Sequence, residues 1–153
     1  MVRKNLKTKD LKGFSLLEII LTLGLLLFIT ALTFPTTTGN AQKSKIKEYA
    51  SQIASDIYYQ QQRAKSKNIS TGIYFTNGKY YLFDGNSFAT GVDKDERDLP
   101  NNMYISSISL TTDDSILFQN GSFKPISFGN FYIGIGPQSI RIGINEEGLI
   151  EYE

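Results

Sequence analysis

Gly13-Phe14-Ser15-Leu16-Leu17-Glu18 begins an apolar run that continues to Phe34 and meets Pro35, and this stretch decides the architecture. From Phe14 to Phe34 the sole formal charge is Glu18. As a helix, at about 1.5 Å per residue, the run reaches roughly 31 Å, enough to cross the hydrocarbon core of a bilayer. Ahead of it, Arg3, Lys4, Lys7, Lys9 and Lys12 face a single acid, Asp10. Such a leader stays on the cytoplasmic side, so the run is expected to be a single-pass anchor in the cytoplasmic (inner) membrane. The chain beyond it is then extracytoplasmic.

Glu18 is out of place in such a segment. A carboxylate costs about 2.5–3.5 kcal/mol at the centre of a membrane helix, less near an interface, and usually has a partner there. Cutting the chain between Gly13 and Phe14 creates an α-amine four residues before Glu18, a natural counter-ion on the same or a neighbouring subunit. Three other readings compete. Glu18 can snorkel to the headgroups; Gly39-Asn40-Ala41 offers the small residues of an ordinary signal-peptide cleavage site; or the segment is an uncleaved signal anchor.

The junction resembles the class III signal of type IV pilins and pseudopilins. That resemblance implies a prepilin peptidase that cuts between Gly13 and Phe14 and methylates Phe14. It also implies that Glu18, at the fifth position of the processed chain, docks the subunit into a growing filament. Counting from Phe14, the proline typical of the family at the twenty-second position is Pro35. The implied partners are other pilin or pseudopilin subunits, the peptidase, an inner-membrane assembly platform and membrane lipid. The implied destination is a pilus or pseudopilus.

The chain has 153 residues, room for one globular domain besides the anchor. Of 16 basic and 15 acidic residues, five and one precede Gly13, which leaves 11 against 14, a formal net of −3. This charge, and the acidic end Asn145-Glu146-Glu147-Gly148-Leu149-Ile150-Glu151-Tyr152-Glu153, argue against nucleic acid as a partner. There is no cysteine and no histidine, which excludes disulfides and thiol catalysis and removes the commonest metal ligand and general base. No serine sits in a nucleophile elbow, and Gly134-Ile135-Gly136 lacks the third glycine of a dinucleotide loop and reads as a turn. No enzyme and no cofactor are expected. The metal candidate is a calcium loop at Asp93, Asp95 and Asp98, weakened by Lys94 and Arg97 and by the absence of the EF-hand glycine; a solvated loop paired within itself is the stronger reading.

The expected organisation is a leader over 1–13, a membrane or filament-core helix over 14–35, an amphipathic helix over 36–68 and a β-rich domain over 69–153. Pro35 should kink or break the helix, with Thr36-Thr37-Thr38-Gly39-Asn40 as a weak stem. Beyond it Ile46, Tyr49, Ala50, Ile53, Ala54, Ile57, Tyr58 and Ala64 recur at helical spacing, predicting a helix of about 26 residues with its apolar face on a sheet. Lys43, Lys47, Glu48, Gln52, Asp56, Arg63 and Lys67 form the solvated side. Gly72–Phe75 and Tyr80–Phe83 flank Asn77-Gly78, a hairpin with a type I′ turn. A short strand is expected at Ser87–Thr90, a charged loop over 91–102, and strands near 103–110, 115–119, 131–135, 138–144 and 148–152. One long helix packed on antiparallel strands is an α+β fold. Gln62-Arg63-Ala64 before Gly72–Phe75, Leu99-Pro100, Ile116-Leu117-Phe118 with Gly121, and Gly148-Leu149-Ile150 are similar to the H-type minor pseudopilins of type II secretion and to FimT-like minor pilins. That implies a minor or initiating subunit.

Overall fold

The computed structural model describes residues 14–153, without the side chains of 33–38. The leader and the Gly13 side of the expected cleavage junction lie outside these residues. The protein is α+β: one helix, α1 (Leu16–Lys67), then nine strands, β1 (Thr71–Thr76), β2 (Lys79–Asp84), β3 (Val92–Asp98), β4 (Met103–Leu110), β5 (Ser115–Phe118), β6 (Pro125–Ser127), β7 (Gly129–Ile135), β8 (Gln138–Ile144) and β9 (Ile150–Tyr152). Two compact units divide the chain, residues up to Gly39 and residues from Asn40 onward.

The two helices expected on either side of Pro35 are a single helix, and the weak stem at Thr36–Asn40 is helical. A proline removes one backbone donor and crowds one carbonyl. The helix here carries through that local loss.

In the second unit the strands form two antiparallel sheets, ordered β3-β2-β1-β5-β6 and β4-β7-β8-β9. Alternation puts Ile73 and Phe75 of β1, Leu82 of β2, Ile116 and Phe118 of β5, Phe131, Ile133 and Ile135 of β7, and Ile140, Ile142 and Ile144 of β8 into one core. Ile46, Ala50, Ile53, Ile57 and Ala64 of α1 complete it. Each recurs at three, four or seven residues, the spacing of one helix face. Tyr58, expected on that face, is 56% exposed, while Tyr49 is half-buried.

The β1–β2 hairpin closes through Asn77-Gly78 with Thr76 opposite Lys79. It is not a type I′ turn, which requires both central residues at positive φ; only Gly78 is there, at 87°. Ser87–Thr90 is a turn rather than a strand, and the charged segment is β3 rather than a loop. Added residues explain the register shifts of the β2–β3 and β4–β7 pairs; a third shift falls between Leu117 and Phe118 in the β5–β6 pair. Between Leu82 and Asp84 the β2–β3 register shifts, with Asp93 at φ 50°; between Ser106 and Ser109 the β4–β7 register shifts, with Ser107 at φ 50°. Both are β-bulges. β6 has no counterpart among the expected strands, since Pro125 reads as a breaker; it is an edge strand, where a missing donor is tolerated.

Candidate assembly surface

In the first unit the helix is apolar on every side. Phe14 is 79% exposed, and Leu16, Leu17, Ile20, Leu23, Leu27, Phe28 and Leu32 are also exposed. These positions do not trace a stripe; they circle the axis. A helix of this kind finds its stable environment only in lipid or among other apolar helices. Even so, among the described residues no helix is long and apolar enough to cross a membrane; full description of this segment stops at Leu32 and resumes at Gly39.

Glu18 stands in the first turn of α1, where a carboxylate complements the positive end of the helix dipole. Its backbone N–H donates to the Ser15 carbonyl at 3.0 Å, and Ile19 donates to the same oxygen at 3.2 Å. Ser15 thus opens the helix just after the Gly13–Phe14 junction. The Thr22 hydroxyl donates back to the Glu18 carbonyl at 2.9 Å, and Thr30 does likewise to Leu26 at 3.0 Å. Both threonines keep their hydroxyls satisfied within the helix, so the segment presents few free polar groups other than the Glu18 carboxylate. Phe14 precedes the helix, two residues before its first residue Leu16, and Glu18 follows within the first turn. Pro35 lies within the helical run.

In the second unit, α1 is tied to the sheets by polar side chains that periodicity assigns to solvent or passes over. Arg63 Nη2 donates to Asp84 Oδ2 at 2.6 Å, with 17% and 12% of the two side chains exposed. Asp56 accepts from the Tyr80 hydroxyl at 2.6 Å. Burial and this carboxylate both raise the Tyr80 phenol well above its ordinary value. Gln60 and Gln61 are buried. Gln60 Nε2 donates to the Gly72 carbonyl at 3.1 Å and the Phe83 carbonyl at 3.3 Å. Gln61 Nε2 donates to Phe123 at 2.7 Å and Gly148 at 3.0 Å. One side chain thereby joins the helix to two loops more than sixty residues away in sequence. The last turn ends on Asn68 at φ 55°, and Gly121, at φ 73°, donates its N–H to the Ala64 carbonyl at 2.9 Å. A side chain at residue 121 would collide with Asn68 Oδ1.

The calcium candidate does not assemble. On β3, Asp95 pairs with Arg97 at 2.8 Å, and alternation places Asp98 on the other face with Lys94 and Glu96. Among the described residues, no group of three or more acids is placed to hold a metal ion. Lys79 binds Glu96 at 2.7 Å, which raises the ammonium and lowers the carboxylate from their usual ranges. β3 is exposed along its whole length and covered in charge, the means by which edge strands avoid pairing with other chains. Glu151 and Glu153 decorate the β9 edge in the same way.

Neither a protein-family model nor a solved structure matches the chain significantly. It is 33% identical over 93 residues to the competence protein ComGD of Bacillus subtilis (strain 168), a match that takes in 58% of this chain and 65% of the relative. The chain therefore spans just under two thirds of that relative's length. Together with the Gly13–Phe14 junction and the carboxylate-bearing apolar helix, this likeness supports the pilin and pseudopilin family for the chain.

Proposed function

We propose that the chain is a minor pilin-like subunit of a competence pseudopilus, with a structural rather than a catalytic role. The observation that carries the proposal is the helix apolar on all sides, interrupted by one carboxylate five positions beyond Gly13. In this reading the peptidase cuts between Gly13 and Phe14 and methylates Phe14. The run from Phe14 to Phe34 then holds the subunit in the cytoplasmic membrane until it enters the filament. There the apolar side chains pack against other subunits, and Glu18 pairs with an α-amine in the otherwise uncharged core. The unit from Asn40 onward selects partners. The likeness to a competence protein favours a competence machine over type II secretion or a type IV pilus, and over the H-type assignment that the C-terminal segments suggest.

Mass spectrometry of the membrane fraction tests this directly. A chain beginning at N-methylated Phe14 is the expected result. A chain beginning at Gln42, or one that keeps its leader in cells containing the peptidase, would overturn it. Because the protein has no native cysteine, single cysteines at exposed helix positions such as Leu21 and Leu25 can then be cross-linked between neighbouring subunits.

A further inference from the structure

On the first sheet, the face turned away from the core carries a second aromatic group, in which Phe88 meets the buried Phe83 edge-on at 5.7 Å. Tyr74 of β1 and Tyr81 of β2 are register partners, and the β2–β3 turn lays Phe88 over them. The Phe88 ring stacks on Tyr74 at 4.3 Å with an 11° interplanar angle and lies 5.1 Å from Tyr81. Beside this stack, a cleft of about 500 Å³ opens between the turn at Asn86–Ala89 and the β4–β5 connection at Thr112–Ser115. Tyr74 and Phe88 form its apolar wall, and Leu117 adds to the apolar lining. The opposite loop is fixed from below, since Phe75 donates its backbone N–H to the Asp114 carbonyl at 2.9 Å.

The polar lining selects the ligand. Its two charged groups are Asp113 and Asp114, and the remainder are the neutral side chains of Asn86, Ser87, Thr112 and Ser115. Ionised carboxylates only accept hydrogen bonds, so a matching ligand must be rich in donors. No cation lines the cleft, which disfavours phosphates and nucleic acid. Lys94 Nζ stands over the Phe88 ring, 4.4 Å from its centroid, and is not among the lining residues. A concave site with an aromatic wall and a few convergent acceptors suits a small ring with C–H groups on its face and hydroxyls on its rim. We propose that this cleft binds a neutral, hydroxyl-rich sugar unit of a glycan. Its C–H groups would pack against the edges of the Tyr74 and Phe88 rings, which line the cleft with their faces stacked on each other, and its hydroxyls would donate to Asp113 and Asp114. The site is on the unit from Asn40 onward and does not depend on filament assembly.

The test uses the full chain in detergent micelles, titrated with N,N′,N″,N‴-tetraacetylchitotetraose and with maltotetraose while NMR shifts are followed. The expected result is saturable binding of at least one of the two, with shifts centred on Tyr74, Phe88 and Asp114. Asp113→Asn combined with Asp114→Asn should weaken it about tenfold without moving Tm, since both side chains are exposed and asparagine accepts the positive φ at residue 113. Phe88→Ala should weaken it further, although that variant also loosens the turn. The proposal fails if neither sugar shifts the cleft resonances up to about 10 mM, or if the double variant binds as tightly as the parent. It also fails if spermine or a twelve-residue oligothymidylate occupies the cleft and the sugars do not.

Discussion

The two stretches of α1 use the same backbone for opposite ends. Up to Leu32 the helix shows apolar side chains in every direction; from Ile46 to Ala64 it shows them along one stripe and buries them under two sheets. In the second stretch the apolar residues are already satisfied by the chain's own strands, so they contribute to its stability. In the first they are exposed to solvent, so they are available to lipid or to other helices. A substitution in the first stretch should therefore register in assembly, and one in the second in unfolding.

The largest effect is expected at Glu18. Glu18→Ala should leave cleavage after Gly13 intact yet reduce filament incorporation at least about tenfold, the loss of a charge pair in a low-dielectric core. The thermal transition of the second unit should not move. Sedimentation of sheared filaments and a melting curve on the same variant separate the two readouts; a lowered Tm would break the division between assembly and unfolding.

Ile57→Ala, at a fully buried position of the stripe, should destabilise the second unit by about 2–5 kcal/mol. Leu27→Ala, in the exposed segment, should leave that unfolding midpoint unchanged. Arg63→Met leaves Asp84 without its cation in a site only slightly open to water. Its cost should sit near the low end for a broken buried pair, about 3 kcal/mol, measured by urea denaturation. Gln61→Leu strands the carbonyls of Phe123 and Gly148 and should cost about 1–3 kcal/mol. Amide exchange near Gly148 should rise in parallel.

Tyr80→Phe has the smallest expected effect, about 1 kcal/mol at neutral pH from one lost hydrogen bond. It carries a sign that can be checked. The folded phenol is raised above its ordinary value of 10.0, so the native state holds its proton when the unfolded chain has begun to lose it. This contribution is complete below pH 10 and declines as pH rises beyond that value toward the folded pKa. The parent should therefore lose stability above pH 10 more steeply than Tyr80→Phe. Equal slopes would show that the Tyr80 phenol is neither buried nor paired with Asp56 in the folded chain.

Much of the fold is legible in the sequence because it rests on local regularities. The helical spacing of Ile46, Ala50, Ile53 and Ile57, the hairpin at Asn77-Gly78 and the strands over 103–110 and 138–144 follow from side-chain period and turn chemistry. The misreadings share a cause. Asp93-Lys94-Asp95-Glu96-Arg97-Asp98 looks like a loop because a strand exposed on both faces has no apolar alternation to reveal it. Asp56 and Arg63 look solvated because helical phase does not disclose that Tyr80 and Asp84 arrive from the sheet. Gln60 and Gln61 give no signal at all, since a buried amide is recognised only by the distant carbonyls it satisfies.

The basic leader, the apolar run with its one carboxylate, and the amphipathic stripe that demands a sheet are all written in the order of residues. Each is a matter of composition and period within a short window. The folded chain alone reveals that the strands form two sheets around the second stretch of α1, that β3 lies at an edge, and that polar side chains lock the end of the helix. It also sets the aromatic turn opposite Asp113 and Asp114 across one cleft. Those features depend on residues far apart in the chain meeting at hydrogen-bond or van der Waals distance, and no local pattern encodes such meetings.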